Sequence, residues 1–251
     1  MLSAKRHEFI LEQLEREKMI KVSEISKLIG VTEKTIRMDL ITLEEQGVLR
    51  RVHGGAIPLE KSSIFPIAER QEMYIHEKQK IAQKAVEKIV DGDTIFLDGG
   101  STMREIAQLL TNHKITIITN DLQIANIVIK LEQPELIMLG GMPVGATSSL
   151  YGPLAKDALA NIRVKHLFLG TTGISVSTGL TVFHTLHAEY KREIMKIADH
   201  ITLCCDHTKF GNTALFKFAD LKEVDTLITD HSPEQMFLDY LAEEEIKLII
   251  V

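Results

Sequence analysis

From Thr94 to the C-terminus the chain carries seven short apolar runs rich in β-branched residues. They are TIFLD (94–98), ITIIT (115–119), ELIMLG (135–140), HLFLG (166–170), ITLCC (201–205), TLIT (226–229) and IKLIIV (246–251). Such a run has no polar face to give to water, so it belongs in a strand covered on both sides. Helical patterns separate most of the runs, and strands alternating with helices imply an α/β domain with a doubly wound, mostly parallel sheet. Cys204 and Cys205 are neighbours within one run. Adjacent strand residues face opposite sides, so the pair makes neither a disulfide nor a metal clip and is expected to fill the core as small hydrophobes.

The first sixty residues have a different texture. Phe9, Ile10, Leu11 and Leu14 lie among charges at helical spacing over residues 3–17, and a short apolar-containing stretch, Met19 to Val22, follows. Ser23 is expected to cap a second helix carrying Ile25, Leu28 and Ile29, with Gly30 supplying a left-handed exit. Thr32 is expected to cap a third helix in which Ile36, Leu40 and Leu43 recur at i, i+4, i+7 and which ends at Gly47. Two helices flanking a turn of about three residues have the spacing of a helix-turn-helix. VLRRVHGGAI (48–57) then reads as two short strands around Gly-Gly, a wing. Two prolines and Ser62-Ser63 mark a linker, and a helix from about Glu69 to Val90 is expected beyond it. The resulting division is a winged helix-turn-helix at 1–57, a linker at 58–75 and an α/β domain at 76–251.

Charge locates the partner of each part. The formal net charge is −6, but the first 56 residues are net +1 and the remainder net −7. A negative domain repels nucleic-acid phosphates, so a DNA site belongs at the N-terminus. No apolar run reaches the eighteen or so residues of a membrane span, and the first residues lack the apolar block of a secretory signal. The expectation is a soluble cytoplasmic protein.

On the third helix the core stripe leaves Lys34, Met38 and Ile41 opposite and Arg37 on the flank, the division a recognition helix needs. Ser23, Thr32, Lys34, Thr35, Arg37, Met38 and the wing residues Arg50, Arg51 and His53 form the candidate DNA-binding set. By periodicity alone a helical hairpin with solvated charges fits as well. The run VSEISKLIGVTEKTIRMDLITLEEQGVLRRVHGGA, however, closely resembles the N-terminal signature of the DeoR family of bacterial sugar-metabolism repressors. That family usually has a second arginine where Met38 stands, so one cationic contact is missing here.

In open α/β sheets ligands bind beyond the carboxyl ends of the strands. Asp98-Gly99-Gly100-Ser101-Thr102 follows a strand and opens a helix, where glycines, hydroxyls and free N–H groups suit an anion. Thr119-Asn120, Thr171-Thr172-Gly173 and Asp206-His207-Thr208-Lys209-Phe210-Gly211 follow other strands, with Lys209 available to a phosphate. A turn or cap role is the alternative for each. FLDGGST, TND, LGG, YGPLA, FLGTTGI, HAEYKREIM and DHTKFG resemble the DeoR-type sensor domain, which shares its fold with ribose-5-phosphate isomerase and CoA-transferase-like enzymes. The resemblance implies an effector site lined by Asp98, Gly100, Ser101, Thr102, Thr119, Asn120, Thr172, Gly173, Glu189, Lys191 and Lys209. His207-Thr208 stands where the family commonly has two serines.

The expected function is a transcriptional repressor of sugar-metabolism genes, binding double-stranded operator DNA under control of a phosphorylated sugar and acting as at least a dimer. An isomerase acting on sugar phosphates is the rival, since Asp98, Glu189 and Lys209 are acid/base types. The DNA-binding module weighs against catalysis. His184, His187 and His207 lack the ligand pattern of a metal site, and no metal or other cofactor is expected.

Overall fold

The computed structural model describes residues 3–17, 19–45, 49–52, 54–58, 73–144 and 147–251. They fall into two compact units, residues 1–72 and 73–251.

In the first unit, helix α1 (Ser3–Glu17) is followed by strand β1 (Ile20–Lys21), helices α2 (Val22–Ile29) and α3 (Glu33–Glu45), and strands β2 (Leu49–Val52) and β3 (Gly55–Pro58). The strands form an antiparallel sheet of order β1-β3-β2. Ile36, Leu40 and Leu43 turn inward from α3 onto Ile10, Leu14 and Ile25. Full burial of each such side chain contributes roughly 1.5–3 kcal/mol. Gly30 takes the left-handed conformation at φ 73° that ends α2, and the Thr32 hydroxyl accepts the Thr35 amide N–H at 3.2 Å, capping α3.

Ser23 does not cap α2. Lys21 occupies that position without a side-chain bond, because the Gly54 carbonyl accepts the Val22 amide at 2.9 Å. A donor left free at the helix start is thus met by the wing, and the helix begins two residues earlier than a Ser23 cap would allow. The hairpin does not turn on Gly-Gly as a pair, because Gly55 is already in β3, opposite Val52. Gly55 lies inside β3, where a Cβ would come within 2.0 Å of the Ile20 carbonyl oxygen. The expected helix end at Gly47, the side chain of Arg50, His53 and residues 59–72 of the linker lie outside the described residues.

The second unit opens with helix α4 (Ile75–Val86), shorter than expected. Tyr74 has φ 54°, a left-handed conformation that interrupts a right-handed helix, and a turn through 87–93 closes where the Asp93 carboxylate accepts the Val90 amide at 3.0 Å. There follow β4 (Thr94–Leu97), α5 (Ser101–Leu109), β5 (Thr116–Thr119), α6 (Leu122–Val128), β6 (Glu135–Met138), β7 (Met142–Pro143), β8 (Leu150–Tyr151), α7 (Pro153–Leu159) and β9 (Val164–Leu169). The remainder is β10 (Gly173–Ser175), β11 (Gly179–Val182), α8 (Thr185–Lys196), β12 (Ala198–Cys204), β13 (Phe216–Ala219), β14 (Thr226–Thr229), α9 (Gln235–Glu243) and β15 (Lys247–Ile250).

All seven apolar runs enter one sheet of order β15-β14-β12-β9-β4-β5-β6, in which every pairing is parallel. Alternate residues serve opposite faces. Ile95, Leu97, Ile117, Phe168 and Ile228 pack with α4, α5 and α6; Phe96, Ile118, Leu167, Leu203 and Leu227 pack with α7, α8 and α9. Cys204 joins the first cluster and Cys205 the second, and burial pushes both thiols far above their usual pKa.

Strand order reverses between β4 and β9. From β4 the chain winds one way through β5 and β6, then returns to build β9, β12, β14 and β15 on the other side. A small antiparallel sheet, β10-β11-β13, and a β7-β8 pair stand apart from the main sheet.

Candidate functional site

On α3, Lys34, Arg37 and Met38 are exposed opposite the buried stripe. Arg37 pairs with Glu33 one turn earlier at 2.5 Å, both exposed. On the wing, the Arg51 guanidinium meets Glu44 of α3 at 2.6 Å and its backbone N–H donates to the same carboxylate at 2.8 Å. These bonds hold the Glu44 carboxyl below its usual pKa and fix the wing against α3. The hydroxyls of Thr32 and Thr35 bond to each other at 2.9 Å, and Ser23 is exposed on α2. Sequence reasoning missed the buried brace beneath this surface: Asp39 accepts two bonds from Arg6, at 2.8 and 2.9 Å, and lies 3.1 Å from His7. Apolar periodicity gives no sign of such a polar contact between α1 and α3.

In the second unit the predicted residues gather at the carboxyl ends of β4, β5, β9 and β12. Asp98 leaves β4 buried, forms an ion pair with Lys191 of α8, and accepts the Gly170 amide at 3.0 Å. Lys191 also donates to the Gly170 carbonyl at 2.9 Å. One acid and one base therefore clamp the exits of β4 and β9, the point of strand reversal where open α/β sheets hold ligands. Gly100 then takes φ 145° as it leads into α5, a conformation that favours glycine, and Ser101 and Thr102 form the first turn of that helix.

The other predicted residues divide by what their polar atoms already do. The Thr119 hydroxyl is fully buried, donating to the Leu97 carbonyl at 2.8 Å and accepting the Asp121 amide at 3.1 Å. Its placement is structural. Gly173 lets the chain near Lys209 approach: a Cβ there would lie 2.3 Å from the Asn212 carbonyl oxygen. Thr172 donates its amide to Thr181 across the small sheet. Glu189 is held at the crevice margin by Lys156 at 3.2 Å and the Tyr151 hydroxyl at 3.4 Å. Asn120 donates its amide to the Leu150 carbonyl at 2.7 Å.

Lys209 is partly buried and donates to the Thr208 hydroxyl at 3.0 Å, 3.8 Å from Asp206. Burial opposes the Asp206 charge, but Lys209, the Thr208 bonds and Lys78 of α4 together hold that carboxyl below its usual pKa. His207 is bound to Asp230, its ring nitrogen at 2.6 Å and its amide at 2.7 Å. Among the described residues no group of three His, Cys, Asp or Glu side chains can hold a metal ion.

Two participants escaped the sequence reading. Asp121 caps α6 through the amides of Gln123 and Ile124, and its other oxygen accepts the hydroxyls of Ser148 and Ser149. An Asp directly before a helical pattern is the signal that points to such a cap. Gly99 fits beside this cluster because a Cβ would fall 2.3 Å from the Ser149 hydroxyl oxygen. Tyr190, between Glu189 and Lys191, reads as core in an amphipathic helix and gives no other sign.

The model of the DeoR-like helix-turn-helix domain matches residues 6–62, and that of the DeoR C terminal sensor domain matches residues 74–231. The HTH-type transcriptional repressor GlcR of Bacillus subtilis is 34% identical, with 96% of this chain and 93% of that protein covered. The glycerol-3-phosphate regulon repressor of Escherichia coli is 31% identical, with 99% of each covered. The HTH-type transcriptional repressor CsqR of Escherichia coli is 30% identical over 98% of this chain and 94% of its own length. Among solved structures, ribose 5 phosphate isomerase A from Neisseria gonorrhoeae matches at 13% identity and TM-score 0.41, covering 57% of this chain and 55% of that one. No helix among the described residues is long and apolar enough to cross a membrane.

Proposed function

The chain belongs to the DeoR family of helix-turn-helix regulators, and from that premise we propose that it represses sugar-metabolism genes, releasing or tightening its operator as a phosphorylated sugar binds the large sheet. The observation that carries this reading is the crevice itself: Asp98, Lys191 and Gly170 meet at the strand reversal, in a chain that also carries a helix-turn-helix.

Residues 1–57 serve as the DNA-binding part, 58–75 as the linker and 76–251 as the sensor. The exposed face of α3 enters the major groove, with Lys34, Thr35, Arg37 and Met38 toward base edges. Ser23 and Thr32 lie toward phosphates, with Arg50, Arg51 and His53 on the flanking backbone. Each exposed Arg–Glu pair is weak enough for the arginine to exchange its carboxylate for DNA. In the crevice the phosphate sits between the start of α5, at Gly100, Ser101 and Thr102, and Lys209. Asp98, Asn120, Thr172, Glu189 and Lys191 face the sugar, while Thr119 and Gly173 hold the loops in place. The protein works in the cytoplasm as at least a dimer, since one recognition helix spans only a few base pairs. It is a regulator and not an isomerase.

The test is a gel-shift titration of the full chain on DNA flanking its own gene, with and without a panel of sugar phosphates, paired with calorimetry. Lys209→Ala is expected to weaken effector binding by one or two orders of magnitude, about 1.4–2.7 kcal/mol, and to leave effector-free DNA binding intact. A dephosphorylated sugar binding as tightly as its phosphate would remove the anion site. Light scattering that gives a monomer mass on DNA would remove the dimer, and turnover of any panel member would restore the enzyme.

A further inference from the structure

Among the described residues, the Tyr190 hydroxyl and the Asn120 Oδ1 are two of the buried side-chain atoms that have no hydrogen-bond partner. Both residues are almost wholly buried, at 2% and 1% exposure. A polar atom sealed from water without a partner loses its hydration and gains nothing in exchange, so native proteins rarely leave one unless a partner arrives from outside. These two belong to elements that meet at the predicted effector site: Asn120 directly follows β5, and Tyr190 precedes Lys191 on α8.

The two residues are linked through the neighbouring pair Leu150 and Tyr151. Asn120 leaves β5 and exchanges two bonds with Leu150, accepting its amide at 2.8 Å through the backbone carbonyl and donating its side-chain amide at 2.7 Å. A carbonyl can only accept, so the Asn120 nitrogen must face Leu150 and its oxygen is the atom left over. Tyr151, the next residue, packs edge-on against the Tyr190 ring at 5.3 Å, and Phe96 of β4 lies 6.2 Å from the same ring. Tyr190 sits between Glu189 and Lys191 on α8, so the helix that clamps Asp98 also fixes the phenol. Burial, with the charges of Asp98 and Asp121 nearby, raises its pKa well above the ordinary phenol value. The hydroxyl therefore remains a donor at neutral pH.

We propose that Tyr190, with Asn120, is a specificity-determining residue of the effector site, and that the two read a neutral hydroxyl of the sugar rather than its phosphate. This rests on the effector reading above and deepens it. Hydroxyls of a sugar can accept from the Tyr190 phenol and donate to the Asn120 oxygen, satisfying both orphaned atoms. A phosphate cannot donate to Asn120 when fully ionised, and the carboxylates of Asp98 and Asp121 repel it. Both atoms are closed from solvent here, so ligand entry requires local opening above them. A site built to bond a hydroxyl discriminates strongly against a ligand lacking it, because the buried groups are then left unpaired.

The experiment is calorimetry on the full chain and on Tyr190→Phe. The ligands are glycerol 3-phosphate, glucose 6-phosphate, fructose 1-phosphate, ribose 5-phosphate and inorganic phosphate, and each unliganded protein is also melted. The tightest-binding sugar phosphate is expected to lose about tenfold in affinity for Tyr190→Phe, with inorganic phosphate unchanged and the melting temperature equal or higher. Equal affinity of both proteins for that sugar phosphate would overturn the proposal and leave the effector reading standing. So would a parallel loss of inorganic phosphate, or a lower melting temperature, which would mean that the hydroxyl serves the fold. If the unaltered chain binds no sugar phosphate in the panel, the effector reading falls and this proposal with it.

Discussion

On the N-terminal unit two of the cations expected to meet DNA lie in solvent-exposed pairs, Arg37 with Glu33 and Arg51 with Glu44, whereas at the strand reversal of the large sheet Lys191 and Asp98 have almost left water. The difference is one of dielectric. An exposed pair is worth about 0–1 kcal/mol, so either partner can be given up to a new one. A buried pair has already lost its hydration, and removing one member strands a charge. The first arrangement suits a surface that must release and rebind; the second suits a floor against which a ligand is measured.

Lys191→Met should show the largest effect, because it leaves the Asp98 carboxylate buried without its cation. A loss of about 3–5 kcal/mol of folding stability is expected in urea titration, and a loss below about 1 kcal/mol would place this pair with the exposed ones. Arg37→Ala comes next and tests the other side. Operator affinity should fall by about 1–3 kcal/mol if Arg37 makes a bidentate base contact, while stability stays within about 0.5 kcal/mol. Unchanged DNA affinity would take Arg37 out of the interface.

The smallest expected effect sharpens the role of burial alone. His166, at the start of the β9 run, lies 3.8 Å from Asp93 and stacks on His200. Burial lowers its pKa against the attraction of Asp93, with Lys165, His200 and Lys88 acting in the same direction as burial. The unfolded imidazole, with a pKa of about 6.5, then binds a proton that the native one refuses. Stability from neutral His166 is thus complete above that pH and is lost as pH falls toward the native value. His166→Gln should flatten the change of urea midpoint between pH 7 and pH 5. An identical slope in both proteins would show that burial of this ring has no titration consequence.

The sequence made the main sheet readable because its strands are short apolar runs whose side chains serve two cores, a pattern that needs no knowledge of partners. Strands β1, β7, β8, β10, β11 and β13 were not readable in that way. They are two to four residues long, and several owe their existence to distant pairings such as Ile20 with Ala56 or Val182 with Phe216. The start of α2 was misplaced for the same reason, since its cap comes from Gly54 and not from a neighbouring side chain. At the candidate site, charged residues and glycines at strand ends stood out. Tyr190 did not, because an aromatic side chain on an amphipathic helix looks the same whether or not its hydroxyl finds a partner.

Cys204 and Cys205 lie on opposite faces of one strand, each sealed in a different core. A thiol reagent can reach them only through opening of the structure, and the two openings are physically distinct: one parts α4, α5 and α6 from the sheet, the other α7, α8 and α9. The chain therefore carries two adjacent chemical reporters whose labelling rates, separated by mass spectrometry, tell which half of the sensor loosens first and whether a bound ligand braces one half or both.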